Sequence, residues 1–393
     1  MTALAGRRFE MTLRNRVLFG VGAIEALPEL IAWAGGTRAF IVTDPGVERS
    51  GVIDTVRGVL VAAGLETGVF AEVEPNPGDA TVERGAAALR TYGLDGTVVV
   101  AVGGGSAMDT AKALDLLAAN PMPVWDLEYD GPDLAPGRPI VAVPTTAGTG
   151  SEAHSFGVIT DVAAGRKGYI GHPSLLPKAT ILDPGLTVGL PPTVTAATGV
   201  DAMTHSLESL LSANPNPFAE STALGVIRTV DSWLRRAVAD GTDLEARSQM
   251  LMASHLAGVG QASGTGVGLV HALGHSIGSR GEIAHGTALA AVLPEVLRFY
   301  LGTRDRELAL VAIALGVGIR AESEATAAGV AITAIDQLLR DVGQRPTLTA
   351  LGLGDEASID QLVVDTLDDA AIRNSPRLPT PDEARAILVS VAG

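Results

Sequence analysis

Residues 97–112 read TVVVAVGGGSAMDTAK, a β-branched run that stops at three glycines and resumes as a helix-forming segment. An apolar run without alternation, Thr97 to Val102, predicts a strand buried on both faces, as in a parallel sheet covered by helices. Gly103, Gly104 and Gly105 let the backbone come close to an anion, and the first turn and dipole of the following helix favour negative charge there. The arrangement suits a phosphate, although a tight turn without a ligand also fits the glycines. Ser106 and Asp109 have the spacing of a capping box, so Asp109 reads either as a helix-terminus residue or as a cofactor contact. The segment is neither the G-x-G-x-x-G fingerprint nor a Walker loop, because the Gly-Lys-Ser/Thr ending is missing.

Outward from this stretch, the first half alternates short apolar runs with amphipathic helical stretches, which predicts an α/β domain with a parallel sheet. Ala39–Thr43 (AFIVT), Gly68–Val73 (GVFAEV) and Pro139–Val143 (PIVAV) read as further strands apolar on both faces, with helices near 50–64, 79–91 and 106–119 between the strands. A second small-residue segment, PTTAGTGSE at 144–152, brings hydroxyls and backbone donors to the same carboxyl edge. In open parallel sheets that edge is where nucleotides bind. Asp44 ends the first clear strand in IVTDPG; it is either an Asp-Pro-Gly turn or an acceptor for a ribose 2′-OH, which would favour NAD over NADP.

After Asp183-Pro184 and the Pro191-Pro192 pair, strand-like runs almost vanish and helical periodicity dominates. The expected division is therefore 1–188, a dinucleotide-binding α/β domain, and 189–393, an all-helical domain, with the active site in a cleft between them. Helices are expected at Val194–Ala213 and Pro217–Ala237. Asp201 and His205 stand four apart, as do His271 and His275, and His285 follows after a turn expected through Gly278 to Gly281. On a helix that spacing places two side chains on one face a turn apart, where they can share a metal. One carboxylate with two or three imidazoles suits Fe(II), Zn, Mn or Co. A buried imidazole in GLVHALGHSIG is costly unless paired or coordinated, which favours a metal over separate structural roles. His154, His172 and His255 have no such company and read as structural or pocket-lining.

The formal net charge of −16 excludes a polyanion as partner, because phosphate backbones are bound through clustered Lys and Arg. With no cysteine there is neither a disulfide framework nor a thiolate metal site, so any metal must be held by His and carboxylate. The N-terminal MTALAGRRFEM lacks the apolar core of a signal peptide. Leu308–Ile319, the longest apolar run, is about two thirds of the roughly 18 residues that suggest a membrane span. A cytoplasmic location without membrane partners is the expectation.

With these residues in place, the chain resembles the iron-dependent (group III) alcohol dehydrogenase family over essentially its whole length. GGGSAMDTAK, PTTAGTGSE, the stretch from Lys167 ending ATILDP, GVDAMTHSLES and VHALGHSIG…HG occur in that family's order and spacing. The resemblance implies the dehydroquinate synthase-like/iron alcohol dehydrogenase fold: a Rossmann-like α/β domain, an all-α metal-binding domain and commonly a homodimer or larger assembly. It places the family's metal ligands on Asp201, His205, His271 and His285, and an additional active-site histidine on His275, which reads either as a proton relay or as packing against the nicotinamide or substrate. The dinucleotide contacts fall on Asp44, Gly104, Gly105, Ser106, Asp109, Thr145, Thr146 and Thr149, and Lys167 looks like the lysine near the nicotinamide ribose. The implied activity is metal-dependent, NAD(P)-dependent hydride transfer between nicotinamide and a small primary alcohol or aldehyde. Alternatives on the same architecture are a transhydrogenase-like enzyme with tightly held cofactor and a dehydroquinate-synthase-like lyase. The lyase is disfavoured by the thin spread of 28 basic residues. One departure stands out: before His271 the family often has Phe-x-Asn-Ala, whereas this chain has GQASGTG from Gly260 to Gly266, a change that widens or polarises the expected substrate pocket.

Overall fold

The structure, a computed structural model, describes residues 15–129, 133–280, 283–318 and 320–393. The N-terminal segment and residues 281 and 282 of the expected Gly278–Gly281 turn lie outside the described residues. The chain divides into two compact units between Leu190 and Pro191.

In the first unit the order is β1 (Arg16–Phe19), α1 (Leu27–Trp33), β2 (Arg38–Val42), α2 (Pro45–Arg49), α3 (Val52–Ala62), β3 (Glu66–Phe70) and α4 (Asp79–Tyr92). It continues with β4 (Thr97–Gly103), α5 (Gly105–Ala119), β5 (Ile140–Pro144), β6 (Phe156–Asp161), β7 (Arg166–Gly171) and β8 (Ala179–Leu182). Six strands form a parallel sheet in the order β1-β8-β5-β4-β2-β3, and β6 pairs with β7 in a separate antiparallel hairpin. β4 is buried throughout, and its side chains alternate between two cores. Val99 and Ala101 join Phe40, Leu89, Met108 and Leu114 on the face covered by α4 and α5. Val98, Val100 and Val102 join Ile41, Leu30, Ile53 and Leu60 on the face covered by α1 and α3. A strand sandwiched in this way has no polar face to alternate with, hence the continuous apolar run in the sequence.

β3 departs from the expectation. It runs Glu66–Phe70 rather than Gly68–Val73, and only Phe70 is buried, because the strand lies at the sheet edge and pairs with β2 alone. The strands β1 and β8 and the β6–β7 hairpin had no counterpart in the sequence reading. The first two have four residues each, too short to carry a periodic signal.

The chain leaves β2 towards β3 but leaves β4 towards β5, so strand order reverses between the neighbours β2 and β4. Asp44 follows β2 and Gly104 follows β4, which puts both at the carboxyl edge where such a reversal opens a crevice.

The second unit holds α6 (Pro192–Leu211), α7 (Pro217–Ala239), α8 (Leu244–Gly260), α9 (Leu269–Arg280), α10 (His285–Phe299), α11 (Asp305–Ala314), α12 (Glu324–Asp341), α13 (Glu356–Asp368) and α14 (Pro381–Ser390). α6 starts on Pro192, whose missing N–H costs nothing at a first helical position, and is buried on nearly all sides from Thr195 onward. α9 continues past Gly278 to Arg280 instead of turning there. No helix among the described residues is long and apolar enough to cross a membrane.

The start of α10 is pressed against α6: a Cβ on Gly286 would lie 1.9 Å from the carbonyl oxygen of Ala197. That atom belongs to helix backbone and cannot yield as a side chain would. Gly286→Ala should therefore push the two helices apart and destabilise the fold by roughly 1–3 kcal/mol or more. Thermal and urea melts of the variant check this.

Candidate active site

Asp201 and His205 project from one face of α6, His271 and His275 lie a turn apart on α9, and His285 opens α10. Three helices thus deliver five side chains to one place. Asp201 Oδ1 lies 3.5 Å from His205 Nδ1, 3.7 Å from His271 Nε2 and 3.7 Å from His285 Nε2. His205 Nε2 and His271 Nε2 are 3.1 Å apart. Atoms about 2.1 Å from a tetrahedral centre stand roughly 3.4 Å from one another, so the approaches of His271 and His285 to Asp201 suit a single small cation. His205 faces Asp201 through Nδ1 and His271 through Nε2, and only one of these nitrogens can serve the same cation. Donor atoms of Asp201, His271 and His285 lie mutually within 4.8 Å.

Asp201 Oδ1 is buried and accepts no hydrogen bond in the described structure. A carboxylate oxygen in that condition is expensive unless a cation claims it. Burial pushes the Asp201 carboxyl up, but the imidazoles of His205, His271 and His285 outweigh it and hold the group well below the usual carboxylate range. For His271 burial works downward, and the charges of Glu208 and Asp201 reverse the balance and raise it to about 9. His285 is pushed well below its ordinary value, by burial first.

Two carboxylates in this neighbourhood escaped the sequence reading. Glu208 Oε2 accepts from His271 Nδ1 at 2.6 Å. Its signal was present, because Glu208 follows His205 by three residues and Asp201 by seven, on the same helical face. Asp369 Oδ2 accepts from His275 Nδ1 at 2.9 Å, while its Oδ1 accepts from the Ala371 amide at 2.7 Å and so caps a short 3₁₀ turn. Asp369 is 94 residues from His275, and no local pattern links them.

The first unit gathers the expected cofactor residues at the carboxyl edge of its sheet. Gly103 has φ 150, a backbone conformation that glycine tolerates best, and a Cβ there would lie 2.7 Å from Ala107 Cβ. A Cβ on Gly104 would meet Thr146 at 3.1 Å, and one on Gly105 would meet Thr149 at 2.6 Å, so the glycine loop and the threonine segment pack directly together. Thr145 N donates to Gly103 O at 2.9 Å. Asp44 caps α2 through Oδ1, which accepts from Gly46 N at 2.8 Å and Val47 N at 2.9 Å; its Oδ2 faces Gly103. The turn role and a ligand role are therefore compatible in one side chain.

The capping box is not formed. Gly104, not Ser106, occupies the cap of α5, without a side-chain bond. Asp109 instead reaches across to the Ser151 hydroxyl and to Val158 N at 3.1 Å, because its helix face looks onto that loop. Burial raises its carboxyl, against the pull of Lys112, and Lys112 is itself lowered to about 8 by burial. The Lys112 ammonium donates to Ser151 O at 2.6 Å, Ser151 Oγ at 2.8 Å and Phe156 O at 2.8 Å, which locks the loop after β5 onto α5. Lys167, on β7, donates to Asn76 Oδ1 and Thr160 Oγ1, both at 2.9 Å. Asn76 has φ 52, a left-handed conformation that asparagine adopts more readily than most residues other than glycine.

Comparisons with known proteins place the chain in a family. The family description "Iron-containing alcohol dehydrogenase" matches residues 14–184, and "Fe-containing alcohol dehydrogenase family, C-terminal" matches residues 195–392. The chain is 37% identical to 1,3-propanediol dehydrogenase of Klebsiella pneumoniae over 97% of its own length and 98% of that protein's. It is 33% identical to the NAD-dependent methanol dehydrogenase of Bacillus methanolicus, covering 94% of this chain and 96% of the relative. The crystal structure of a 1,3-propanediol oxidoreductase superposes with a TM-score of 0.93 at 36% identity, covering 98% of this chain and 100% of that one. The chain belongs to the iron-containing alcohol dehydrogenase family and is an oxidoreductase of the alcohol dehydrogenase and aldehyde reductase type.

Burial lowers Lys167 to about 8, with Asp109 opposing. Between that value and the ordinary lysine range, ~10.4, the native chain binds fewer protons than the unfolded one. Stability contributed by this group therefore rises as pH increases through the window and is withheld below about pH 8. The chain has three lysines, Lys112, Lys167 and Lys178, so ¹³C-lysine NMR resolves them readily. The Lys167 signal, identified by its absence in Lys167→Arg, should titrate near pH 8. A midpoint above pH ~10 contradicts the assignment.

Proposed function

We propose that this protein reduces short aldehydes and oxidises the corresponding primary alcohols by hydride exchange with NAD(H), assisted by a divalent cation held by Asp201, His205, His271 and His285. The observation that carries this reading is the convergence of three imidazoles, those of His205, His271 and His285, on a buried Asp201 oxygen that accepts no hydrogen bond among the described residues. Fe(II) is assigned first, with Zn, Mn or Co as alternatives on the same donor set. When bound, such a cation supplies Lewis acidity, polarising a carbonyl and lowering the pKa of an alcohol.

The remaining tasks belong to the chain. The first-turn N–H groups of α5, opened by Gly104, Gly105 and Ser106, would receive the cofactor phosphates, with Thr145, Thr146 and Thr149 alongside. The outward oxygen of Asp44 is suited to accept from a ribose hydroxyl and would repel a 2′-phosphate, which supports NAD over NADP. Lys167, braced by Asn76 and Thr160 and balanced by Asp109, would meet the nicotinamide ribose. Because His275 Nδ1 is engaged by Asp369, Nε2 is left to accept a proton, which supports the relay role over mere packing. A homodimer or larger homo-oligomer is assigned on the family resemblance, and light scattering checks the mass.

A panel of short aldehydes and alcohols, with NADH and NADPH supplied separately, tests the reading. Steady NADH oxidation is expected. Asp201→Ala should lower kcat/KM by more than the roughly 100-fold that loss of an outer partner of a metal ligand costs. Strong preference for NADPH would remove Asp44 from its assigned role, and cofactor consumption unchanged in Asp201→Ala would remove the cation site.

A further inference from the structure

α6 buries two carboxylates on one face, Asp201 and Glu208, and the structure treats them in opposite ways. Asp201 Oδ1 accepts no hydrogen bond among the described residues. Glu208 has none to spare: Oε1 accepts from Val270 N at 2.7 Å, and Oε2 accepts from Gly268 N at 2.9 Å and from His271 Nδ1 at 2.6 Å. A carboxylate with three N–H donors in place is not free to turn towards a cation. We infer that Glu208 is not a ligand but the positioning residue of the metal centre, selecting the tautomer of His271 and seating the helix that carries it.

Glu208 performs two tasks with one side chain. In the neutral ring that a cation requires, an Nδ1–H donated to Glu208 puts the lone pair of His271 on Nε2, the atom that lies 3.1 Å from His205 Nε2 and 3.7 Å from Asp201 Oδ1. In the other tautomer that lone pair would point away from the cluster. Gly268 and Val270 flank the first residue of α9, so their amides present the positive end of that helix to the carboxylate, which favours the charge of Glu208 in a buried place. The angle of the ring and the start of its helix are thus fixed by one group. Outer partners of this kind typically change metal affinity 10- to 100-fold, about the size expected here.

This inference rests on the cation reading above, and the test separates the two. Metal-free wild type, Glu208→Gln and Asp201→Ala are titrated with Co(II) against a chelator, with the Co(II) visible spectrum and the melting temperature recorded for each. Glutamine keeps the shape but cannot accept from all three donors at once, so it must either reverse the His271 tautomer or leave an α9 amide unpaired. The expected result is a folded Glu208→Gln protein with Co(II) affinity weakened roughly 10- to 100-fold and an altered spectrum. Unchanged affinity and spectrum with a lowered melting temperature would make Glu208 a helix anchor only and overturn the inference. Should wild type and Asp201→Ala bind Co(II) alike, the cation reading itself falls. If Glu208→Gln does not fold, ¹⁵N-histidine NMR of Zn(II)-loaded wild type decides: a retained Nδ1–H on His271 with a metal-shifted Nε2 supports the assignment, and the reverse overturns it.

Discussion

A carboxylate cannot be left bare in the middle of an apolar helix, and α6 places two of them there. Much of the second unit follows from that constraint. Glu208 is satisfied by drawing in the first amides of α9 and the ring of His271; Asp201 is approached by imidazoles from α6, α9 and α10. The close pass of α10 over α6 at Gly286, where even a methyl group has no room, brings His285 within reach of Asp201. Packing density and electrostatics here demand the same geometry.

The first unit solves a different problem, the close approach of backbone to backbone. Gly103, Gly104 and Gly105 are needed less for flexibility than for proximity, since added Cβ atoms would meet Ala107, Thr146 and Thr149. The buried Lys112 and Asp109 then clamp the loop after β5 in place, so the threonines stand at a fixed distance from the opening of α5. The backbone at the opening of α5 is thus held by charges that themselves face inward. Those charges carry shifted pKa values because they are desolvated, a structural use of burial that would be mistaken for catalysis if geometry were ignored.

The interior strands were legible because β2, β4 and β5 are covered on both sides and show unbroken apolar runs. β3 was misjudged for the opposite reason: an edge strand has one neighbour and one wet flank, and its residues do not announce which. Asp201, His205, His271, His275 and His285 could be nominated from helical spacing and from the absence of cysteine. Glu208 could have been, since it continues the Asp201–His205 face by three residues. Asp369 could not, because only the fold brings a 3₁₀ turn near the C-terminus against α9.

By itself, then, the sequence determined the class of fold, the residue types available to a metal or a dinucleotide, and the elements that carry them, because these depend on local periodicity and composition. The tertiary structure alone decided which carboxylate stays open and which is saturated, which nitrogen of His271 faces the cluster, and whether Asp109 caps its helix or spans to another segment. Those outcomes depend on which N–H groups arrive from distant parts of the chain, and a hydrogen bond between residues 63 or 94 positions apart leaves no periodic trace.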